Sequence, residues 1–525
     1  MVNIQQSNYM KKNVILILLC IIAGAGFAKR QTHFLNPVIY ADVPDMDAIR
    51  VGNDYWMVST TNHYSPGAPI MHSTDLVHWE TVNFLFETLN ESPKNDLEGG
   101  NVYSRGQWAA SLRYHKGYYY CFFGTGVKSY LYRTDDPRKK WEIIWQCDEY
   151  LHDASFFIDD DDRAFLFYNG SHLQLREFNP DFRPGFNPEG ISCEVIHGEP
   201  RGLLEGSHLY KHDGRYYLTC IWWPDGGIRT QVVFRADKID GDYANNMRVI
   251  LSDDMGWQRK GVAQGFFIDT PNGEQWSMMF QDHNAIGRIP FLMPMRWEDG
   301  WPILGDENGK VHTMLPMPGG GKPCTSRITA SDNFSRTKLD LVWQWNHNPD
   351  NSAWSLTERK GWLRLKTAKV VGNILDAKNT LVQRTFGPVS QYTVRMDVSQ
   401  MKDGDIAGIS AFCSEPGTIQ VQKEGNTLRL VMTDRQREMA SVKLSQNVVQ
   451  LKMITDYTTD AASFHYSLDG KKWMQLGGTF HMIFNTAHFT GNRFALFNYA
   501  TKDKGGHVDV DWFKYTDPEH WADDL

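Results

Sequence analysis

Three acidic residues in this chain have the types and the spacing for acid–base chemistry on a glycosidic bond. Asp45, Asp153 and Glu205 each stand just upstream of an apolar strand that is followed by a tight turn and an aromatic strand. Hydrolysis of such a bond needs one carboxylic acid that protonates the leaving oxygen and one carboxylate that activates water or attacks carbon. The two groups must differ in pKa, so a third charged group nearby often keeps one of them protonated.

The elements that would bring these acids together are five copies of one strand-turn-strand unit. The copies read AIRVGNDYWMV (48–58), SLRYHKGYYYCFF (111–123), SFFIDDDDRAFLFY (155–168), HLYKHDGRYYLTC (208–220) and FFIDTPNGEQWSMMF (266–280). Radial repetition of short antiparallel sheets makes a β-propeller, in which equivalent points on successive blades face a common axis. Acidic residues at corresponding points of three copies are therefore expected to converge on that axis.

A second all-β region follows the propeller. The Pro/Gly-rich segment LPMPGGGKP (315–323) indicates a linker. Beyond it, alternating runs such as YTVRMDVS, VVQLKMITDY and VDVDWFKYT predict half-buried sandwich strands. The predicted fold class is all-β, with a five-bladed β-propeller over 34–317 and a C-terminal β-sandwich of jelly-roll or lectin-like type over 324–518.

The residues around the three acids resemble the motifs of glycoside hydrolase family 43, whose members are five-bladed propellers. NPVIYADVPDMDAIRVGNDYWMVSTTNHYSPGAPIMHSTDLVHWE (36–80) resembles the family's opening blade. HDASFFIDDDD (152–162) resembles its DPSPFFDDDG motif, and LEGSHLYKHDGRYY (204–217) resembles its EGPHLYK motif. The resemblance implies that Asp45 is the general base and Glu205 the general acid. It implies that Asp153 tunes the pKa of the acid and orients it.

This sequence departs from the family pattern at positions that stiffen the backbone. Met46 and Ala154 replace the prolines after the two aspartates, and Ser207 replaces the proline after Gly206. The segment WAAS (108–111) stands where the family has WAPD. These changes affect the fine geometry of the site rather than its acids.

The same resemblance implies further residues that contact the substrate. Arg288 is expected to hold sugar hydroxyls, and Trp108 to wall the subsite for the non-reducing sugar. His63 sits in the matching first-blade loop, and Trp223 is expected to stack on the aglycone, although core packing explains it equally well. His283 is expected on the propeller axis as the ligand of a central cation or a water cluster, and the alternative is a satisfied core histidine.

The C-terminal segment GNRFALFNYATKDKGGHVDVDWFKYTD (491–517) resembles the β-sandwich of the family's two-domain xylosidases and arabinofuranosidases. In those proteins the sandwich packs on the propeller and can lend a loop to the pocket rim. Asp332, Asp509 and Asp511 are candidate ligands for a structural Ca²⁺, a cation that prefers carboxylate and carbonyl oxygens. Solvated sandwich edges explain these residues about as well, and no redox or organic cofactor is implied.

Composition and the N-terminus bear on partners and location. The formal net charge of −8 argues against a nucleic-acid partner, because no basic surface is evident to neutralise phosphates.

Lys11 and Lys12 precede the apolar run VILILLCIIAGAGFA, which is short for a membrane span and ends in small residues. This pattern predicts a signal peptide over 1–28 and a secreted or periplasmic protein. Cys20 leaves lipidation as an alternative.

Together these features predict a secreted, inverting exo-glycosidase that removes non-reducing terminal α-L-arabinofuranosyl residues from plant cell-wall polysaccharides or oligosaccharides. A β-xylosidase of the same family is the first alternative, because arabinofuranose and xylopyranose present similar hydroxyl patterns to a small pocket. A non-catalytic carbohydrate-binding propeller is a second alternative, although it would normally have lost an acid or a base. A retaining hydrolase of the fructosidase type would carry NDPNG and RDP motifs, which do not occur in the matching places.

Overall fold

The computed structural model describes residues 32–517, apart from Glu199 and Pro323. The signal peptide predicted for 1–28 lies outside the described residues. Within them, no helix has both the length and the apolar composition needed to cross a membrane.

The first part of the chain forms five antiparallel sheets of four strands each, in sequence order within every sheet. Blade 1 consists of Asp47–Val51, Asp54–Val58, Gly67–Ser73 and Glu80–Phe86. Blade 2 consists of Ala110–His115, Tyr118–Gly124, Ser129–Thr134 and Glu142–Cys147. Blade 3 consists of Ser155–Ile158, Ala164–Tyr168, His172–Glu177 and Ser192–His197. Blade 4 consists of Leu203–His212, Arg215–Trp223, Thr230–Ala236 and Met247–Leu251. Blade 5 consists of Ala263–Asp269, Gln275–Asp282, Arg288–Glu298 and Trp301–Leu304.

Local sequence explains these hairpins. His115 pairs with Tyr118 across a two-residue turn, and Lys116 and Gly117 both have positive φ angles, of 47° and 89°. Asp213 and Gly214 make the same turn in blade 4, with φ angles of 48° and 73°. Two central residues with positive φ define a type I′ turn, whose twist suits an antiparallel hairpin.

The five blades form a closed ring. The first strand of each blade contacts the first strand of the next, and the first strand of blade 5 contacts that of blade 1. Backbone-to-side-chain hydrogen bonds link these inner strands: the Leu112 N–H donates to Asp47 Oδ2 (2.8 Å) and the Leu209 N–H donates to Ser155 Oγ (2.9 Å). His33–Leu35 pairs with Met314–Pro316 and thereby joins the two ends of the propeller region. The predicted five-bladed propeller is confirmed.

The second part of the chain is a sandwich of two large antiparallel sheets. In spatial order the first sheet contains Arg437–Leu444, Thr427–Asp434, Gly417–Glu424, Asp405–Phe412, Arg493–Ala500, Leu381–Arg384, Gln344–Asn346 and Tyr64–Ser65. The second contains Trp354–Ser355, Leu363–Lys366, His507–Thr516, Val389–Asp397, Val448–Asp456, Ala461–Ser467, Met474–Gln475 and, paired with Ala461–Ser467, Phe480–His481. Burial alternates along Val448–Asp456, as the sequence pattern predicts. Three short 3-10 helices, Pro93–Asp96, Asn284–Ile286 and Ile374–Asp376, complete the described elements.

The sandwich is continuous with the propeller. The strand Tyr64–Ser65, which belongs to blade 1 by sequence, is an edge strand of the first sandwich sheet and pairs with Trp345 and Asn346. Buried sandwich residues such as Trp343 belong to the same hydrophobic cluster as Phe291 of blade 5. A loop of the sandwich can therefore be held rigidly against the propeller.

Candidate active site

Two of the predicted catalytic residues owe their position to an uncommon backbone conformation. Asp45 and Asp153 lie two residues before the first strands of blades 1 and 3, with φ angles of 49° and 42°. A non-glycine residue in the left-handed region costs about 1–3 kcal/mol and persists where the surroundings enforce it, often at active sites. Asp45 and Asp153 therefore share both their position in the repeated unit and their backbone conformation.

Glu205 departs from that repeat by one residue. In blade 4 the left-handed conformation falls on Gly206 (φ 66°), and Glu205 precedes it within a bulged part of the strand Leu203–His212. A Cβ on Gly206 would lie 2.7 Å from the side chain of Gln264, and the positive φ also disfavours other residues, so glycine suits this position. Bulges re-aim side chains, and this one directs Glu205 into the same cavity as the two aspartates.

The three acids line one cavity of about 530 Å³. Its walls come from all five blades and from a loop of the sandwich: Asp45, Ser104, Arg105, Trp108, Gly126, Tyr150, His152, Asp153, Leu203, Glu205, Ile221, Trp223, Arg229, Gln264, Phe280, Asp282, Arg288, Phe484, Thr486 and Phe489. A volume of this size is within the range of small-ligand pockets. Carboxylates that are far apart in the sequence are thus brought together beside aromatic rings.

Asp45 is held by an arginine. Arg288 Nη1 donates to Asp45 Oδ1 at 2.7 Å, and both side chains are only 6% exposed. The backbone N–H of Arg288 donates to Asp42 Oδ1 at 2.9 Å, which fixes the start of its strand. The guanidinium therefore engages Oδ1 of Asp45.

Asp153 and Glu205 are joined by a histidine that lies between them. His152 Nε2 is 3.3 Å from Glu205 Oε2, and His152 Nδ1 is 2.7 Å from the Tyr150 hydroxyl and 3.6 Å from Asp153 Oδ1. The Gly206 N–H donates to Asp153 Oδ2 at 3.1 Å. Asp153 therefore reaches Glu205 through the backbone of Gly206 and through the imidazole of His152.

The electrostatics of this group follow from burial and crowding. Burial raises the pKa of Asp153, His152 opposes the change, and the charges of Glu205 and Asp45 raise the pKa further, to about 6. Burial alone would lower the pKa of His152, but its hydrogen bond to Glu205 and the nearby carboxylates raise it to about 9. The imidazole is therefore a cation at neutral pH.

Charges in the inner cavity nearly balance. Apart from the exposed Arg105, the lining carries four carboxylates and three cations: Asp45, Asp153, Glu205 and Asp282, and Arg229, Arg288 and His152. Acidic and basic side chains are therefore present in nearly equal number around the three predicted catalytic residues. One protonated and one ionised carboxyl is the state that an acid–base pair requires.

A loop of the sandwich closes one side of the cavity. The Phe489 ring lies 5.1 Å from the Trp108 ring, and the Arg288 guanidinium lies 5.0 Å from the centroid of the Phe489 ring. The Phe489 carbonyl accepts hydrogen bonds from Asn62 Nδ2 (3.2 Å) and Arg288 Nη2 (3.4 Å). Phe489 itself has a φ of 61°. The sandwich thus contributes Phe484, Thr486 and Phe489 to the lining.

Comparison with known proteins identifies the family. Residues 34–302 match the model of the glycosyl hydrolases family 43, and residues 331–516 match that of the beta-xylosidase C-terminal concanavalin A-like domain. The chain belongs to glycoside hydrolase family 43. The family resemblance of the sequence and the glycosidase activity that it implies are both confirmed.

Relatives within family 43 carry more than one activity in their names. The chain is 30% identical to a beta-xylosidase of Formosa agariphila, over 92% of this chain and 90% of the relative. It is 30% identical to a non-reducing end alpha-L-arabinofuranosidase of Bacteroides ovatus, over 71% of this chain and 73% of the relative. Among solved structures it resembles a bifunctional GH43-CE protein of Bacteroides eggerthii, with a TM-score of 0.87 and 44% identity. That similarity covers 93% of this chain but only 64% of the bifunctional chain, less than two thirds of its length.

Of the substrate-contacting residues predicted from the family motifs, Arg288, Trp108 and Trp223 line the cavity and His63 does not. His63 is 4% exposed and packs among the rings of Tyr64, Tyr103, His347 and His488, where the propeller meets the sandwich. Burial in this cluster lowers its pKa well below the usual value. The matching first-blade loop turns toward the sandwich because its next two residues, Tyr64 and Ser65, join the sandwich sheet.

His283, predicted as a ligand of an axial cation, also lies outside the cavity lining. Its ring stacks on Trp257 at 4.5 Å, and its Nε2 is 2.6 Å from Gln281 Oε1. Burial and the neighbouring Lys260 lower its pKa to about 4. These contacts place His283 in a half-buried packing position, and its role as a metal ligand stays a prediction.

Among the described residues, one trio of side chains comes close enough to share a metal ion: His152, Asp153 and Glu205, each with a ligand atom within 4.8 Å of the others. The candidate calcium ligands of the sandwich have other partners. Asp509 bonds to Arg364 and Arg359, Asp511 forms an ion pair with Arg395, and Asp332 accepts from Trp343 Nε1 at 3.0 Å. Each of these three carboxylates thus has a side-chain partner in the protein, and the calcium role stays a prediction.

Asp47, two residues after Asp45 in the DMD motif, has a structural role. Its Oδ2 accepts from the Leu112 N–H at 2.8 Å and from Arg113 Nη1 at 2.6 Å, and the residue is 1% exposed. Burial alone would raise its pKa, but Arg113 and His208 lower it to about 2. Asp47 therefore remains ionised within the ring of blades, outside the cavity lining.

Sequence reasoning missed several cavity residues. His152 directly precedes Asp153, so the motif itself held the signal that could have revealed it. Arg229 lies between two strands of blade 4, is 3% exposed and donates from Nη1 to the Ala263 carbonyl at 2.8 Å. Phe489 belongs to a sandwich loop distant in sequence. No local pattern marks Arg229 or Phe489, because only the folded chain brings them to the acids.

Proposed function

We propose that this family 43 enzyme is an inverting exo-glycosidase that removes one terminal pentose from the non-reducing end of plant cell-wall polysaccharides or oligosaccharides. The observation that carries the proposal is the convergence of Asp45, Asp153 and Glu205 in one cavity that the sandwich loop closes on one side. Because the loop limits the space on one side of the cavity, it supports binding of a chain end rather than the middle of a chain. Arabinofuranose is the first candidate sugar, as the sequence resemblance implies.

The mechanism that we propose uses one displacement. Asp45, held through Oδ1 by Arg288, takes a proton from a water molecule through Oδ2, and that water attacks the anomeric carbon. Glu205 donates its proton to the glycosidic oxygen as the bond to the anomeric carbon breaks. Asp153, fixed by the Gly206 N–H, supplies the charge that holds this proton in the group. These proton transfers account for the reaction, so the proposal assigns no cofactor to it.

β-D-Xylose is the second candidate sugar, and a specific observation favours it. The Formosa agariphila relative, which matches 92% of this chain, is named a beta-xylosidase. The Bacteroides ovatus relative supports the first candidate, since it is named a non-reducing end alpha-L-arabinofuranosidase. Trp108, Phe489 and Arg288 line the cavity, and we expect these side chains to discriminate the two sugars.

A direct test compares kcat/KM on 4-nitrophenyl α-L-arabinofuranoside and 4-nitrophenyl β-D-xylopyranoside. We expect hydrolysis of at least one of the two pentosides, and the substrate with the higher kcat/KM identifies the preferred sugar. Oligosaccharides labelled at the reducing end should lose single pentoses from the other end. Release of larger fragments as first products, or inertness toward both pentosides, would contradict the exo-pentosidase assignment. Asp45→Asn, prepared in parallel, controls for contaminating glycosidases.

We also propose that residues 1–28 direct export of the protein to the periplasm or the medium. The basic residues Lys11 and Lys12 ahead of a short apolar run support this. Edman sequencing or intact-mass measurement of the exported protein should show a new N-terminus near residue 29. An uncleaved chain in the cytoplasm would contradict the proposal, and lipid attached at Cys20 would replace it with membrane anchoring.

A further inference from the structure

The contacts of Glu205 single out one neighbouring side chain. Among the described residues, the carboxyl group of Glu205 has one hydrogen-bond partner, His152, at 3.3 Å from Oε2. Asp153, the residue that the family resemblance assigns to orient the acid, bonds instead to the Gly206 N–H. The orientation of Glu205 by a side chain therefore depends on the imidazole.

His152 is itself held from both sides. Its Nδ1 contacts the Tyr150 hydroxyl at 2.7 Å and lies 3.6 Å from Asp153 Oδ1, and its side chain is 36% exposed. Tyr150 and Asp153 flank it in sequence, Glu205 faces it from blade 4, and Asp45 acts on it from the start of blade 1. The charged groups that act on the ring, Glu205, Asp153 and Asp45, are all acids, so they stabilise its imidazolium form.

We propose that His152 is a positioning residue for the general acid: its Nε2–H donates to Glu205 Oε2 and thereby leaves Oε1 to carry the catalytic proton toward the glycosidic oxygen. This inference rests on the proposed role of Glu205. When the bond to the sugar breaks, the proton moves from Glu205 Oε1 to the leaving oxygen, and His152 keeps its own protons. The positive imidazolium then stabilises the carboxylate that remains. Because hydrogen bonds to charged groups are stronger than neutral ones, the contact strengthens as the negative charge forms.

The pKa of His152, raised to about 9, agrees with this role because the ring keeps its charge throughout the neutral range. A neutral imidazole could also bond to a protonated Glu205, but it could not stabilise the anion electrostatically. The experiment must therefore test the positive charge of the His152 side chain as well as its shape.

The test is a double-mutant cycle on leaving-group dependence. His152→Gln should lower kcat on a poor leaving group, such as an unactivated pentosyl disaccharide, by about 10- to 100-fold, the loss expected for one hydrogen bond to a charged group. The loss on an activated dinitrophenyl pentoside should be at most about threefold, because that leaving group needs little protonation. KM should change little on either substrate. His152→Lys, which restores a cationic donor, should recover part of the loss.

In the Glu205→Ala background, His152→Gln should have no further effect beyond about threefold if it acts through Glu205. His172→Gln is the matched control, since His172 is also in blade 3 and contacts a glutamate, Glu194, at 2.8 Å, but lies outside the cavity lining. It should leave activity unchanged. Thermal unfolding of each variant identifies any that fails to fold.

The outcomes separate the two proposals. Equal losses on both substrates for His152→Gln, or an undiminished loss in the Glu205→Ala background, would overturn the positioning role while leaving Glu205 as the acid. If Glu205→Ala itself loses activity equally on both substrates, the assignment of Glu205 fails, and the role of His152 fails with it.

Discussion

Replacing Asp153 with Asn should stabilise this protein at neutral pH while destroying its activity. Burial and the charges of Glu205 and Asp45, against the opposing effect of His152, raise the pKa of Asp153 from 3.8 to about 6. The carboxylate is 9% exposed, so solvent screens this crowding only weakly. An ionised Asp153 is therefore held in the folded protein at a cost in stability.

The sign and the size of this cost follow from linkage. Because the pKa is higher in the folded state than the unfolded value of 3.8, the folded protein binds the proton more tightly. The contribution of Asp153 to stability is therefore most favourable below about pH 4 and is lost as the pH rises through about 6. Two pH units at about 1.4 kcal/mol each set an upper limit of about 3 kcal/mol. Asn removes the charge and keeps an acceptor for the Gly206 N–H, so we expect a gain of about 1–3 kcal/mol above pH 7.

The assay is thermal or denaturant unfolding of wild type and Asp153→Asn at a series of pH values between about 4 and 8. The difference between the two proteins should be positive at the upper end and should shrink toward zero at the lower end. Asp405→Asn is a matched control in the sandwich, because burial raises the pKa of Asp405 to about 6 as well. It should show the same trend and keep full activity. A destabilised Asp153→Asn at about pH 8, or a gain that does not vary with pH, would refute the reasoning.

Three further substitutions test the roles of individual side chains. Glu205→Ala should lower turnover of unactivated oligosaccharides by about 10²–10⁴-fold and turnover of dinitrophenyl glycosides much less; equal losses would remove Glu205 from the acid role. Asp45→Asn should abolish hydrolysis of every substrate while the protein stays folded, since Asn can still accept from Arg288, and more than a few per cent of wild-type turnover would contradict the assignment of Asp45 as base. Phe489→Ala should raise KM or the Kd of a monosaccharide inhibitor about tenfold or more with the propeller intact, and unchanged affinity would show that the sandwich loop packs beside the substrate without binding it.

The sequence predicted the fold well because its signals are local and repeated. The HKG and HDG turns form the hairpins that their residues indicate, and alternation along 448–456 correctly marks a half-buried strand. The family resemblance placed Asp45, Asp153 and Glu205 in one cavity. The one-residue displacement of Glu205 was not visible, because a bulge and the left-handed conformation of Gly206 leave no periodic trace in the sequence.

The remainder of the site depends on contacts between distant segments. His63 sits in a loop that resembles a substrate-binding loop, but pairing of Tyr64 with Asn346 turns that loop toward the sandwich. Phe489 and Arg288 are 201 residues apart in sequence, yet the Phe489 carbonyl accepts a hydrogen bond from the Arg288 guanidinium. Such pairs follow from how the sandwich packs on the propeller, and no pattern within either segment specifies them.

The stereochemistry of hydrolysis tests the central claim most directly. Single displacement by a water that Asp45 activates should release the sugar with inverted anomeric configuration, and the acid and the base should lie roughly 6.5–9.5 Å apart to admit that water. Proton NMR during the first minutes of reaction should therefore show β-L-arabinofuranose from an α-L-arabinofuranoside, or α-D-xylose from a β-D-xyloside, before mutarotation. Retained configuration at early times would mean that Asp45 attacks carbon directly, which would contradict the roles of Asp45 as the general base and of Asp153 as the residue that tunes the acid.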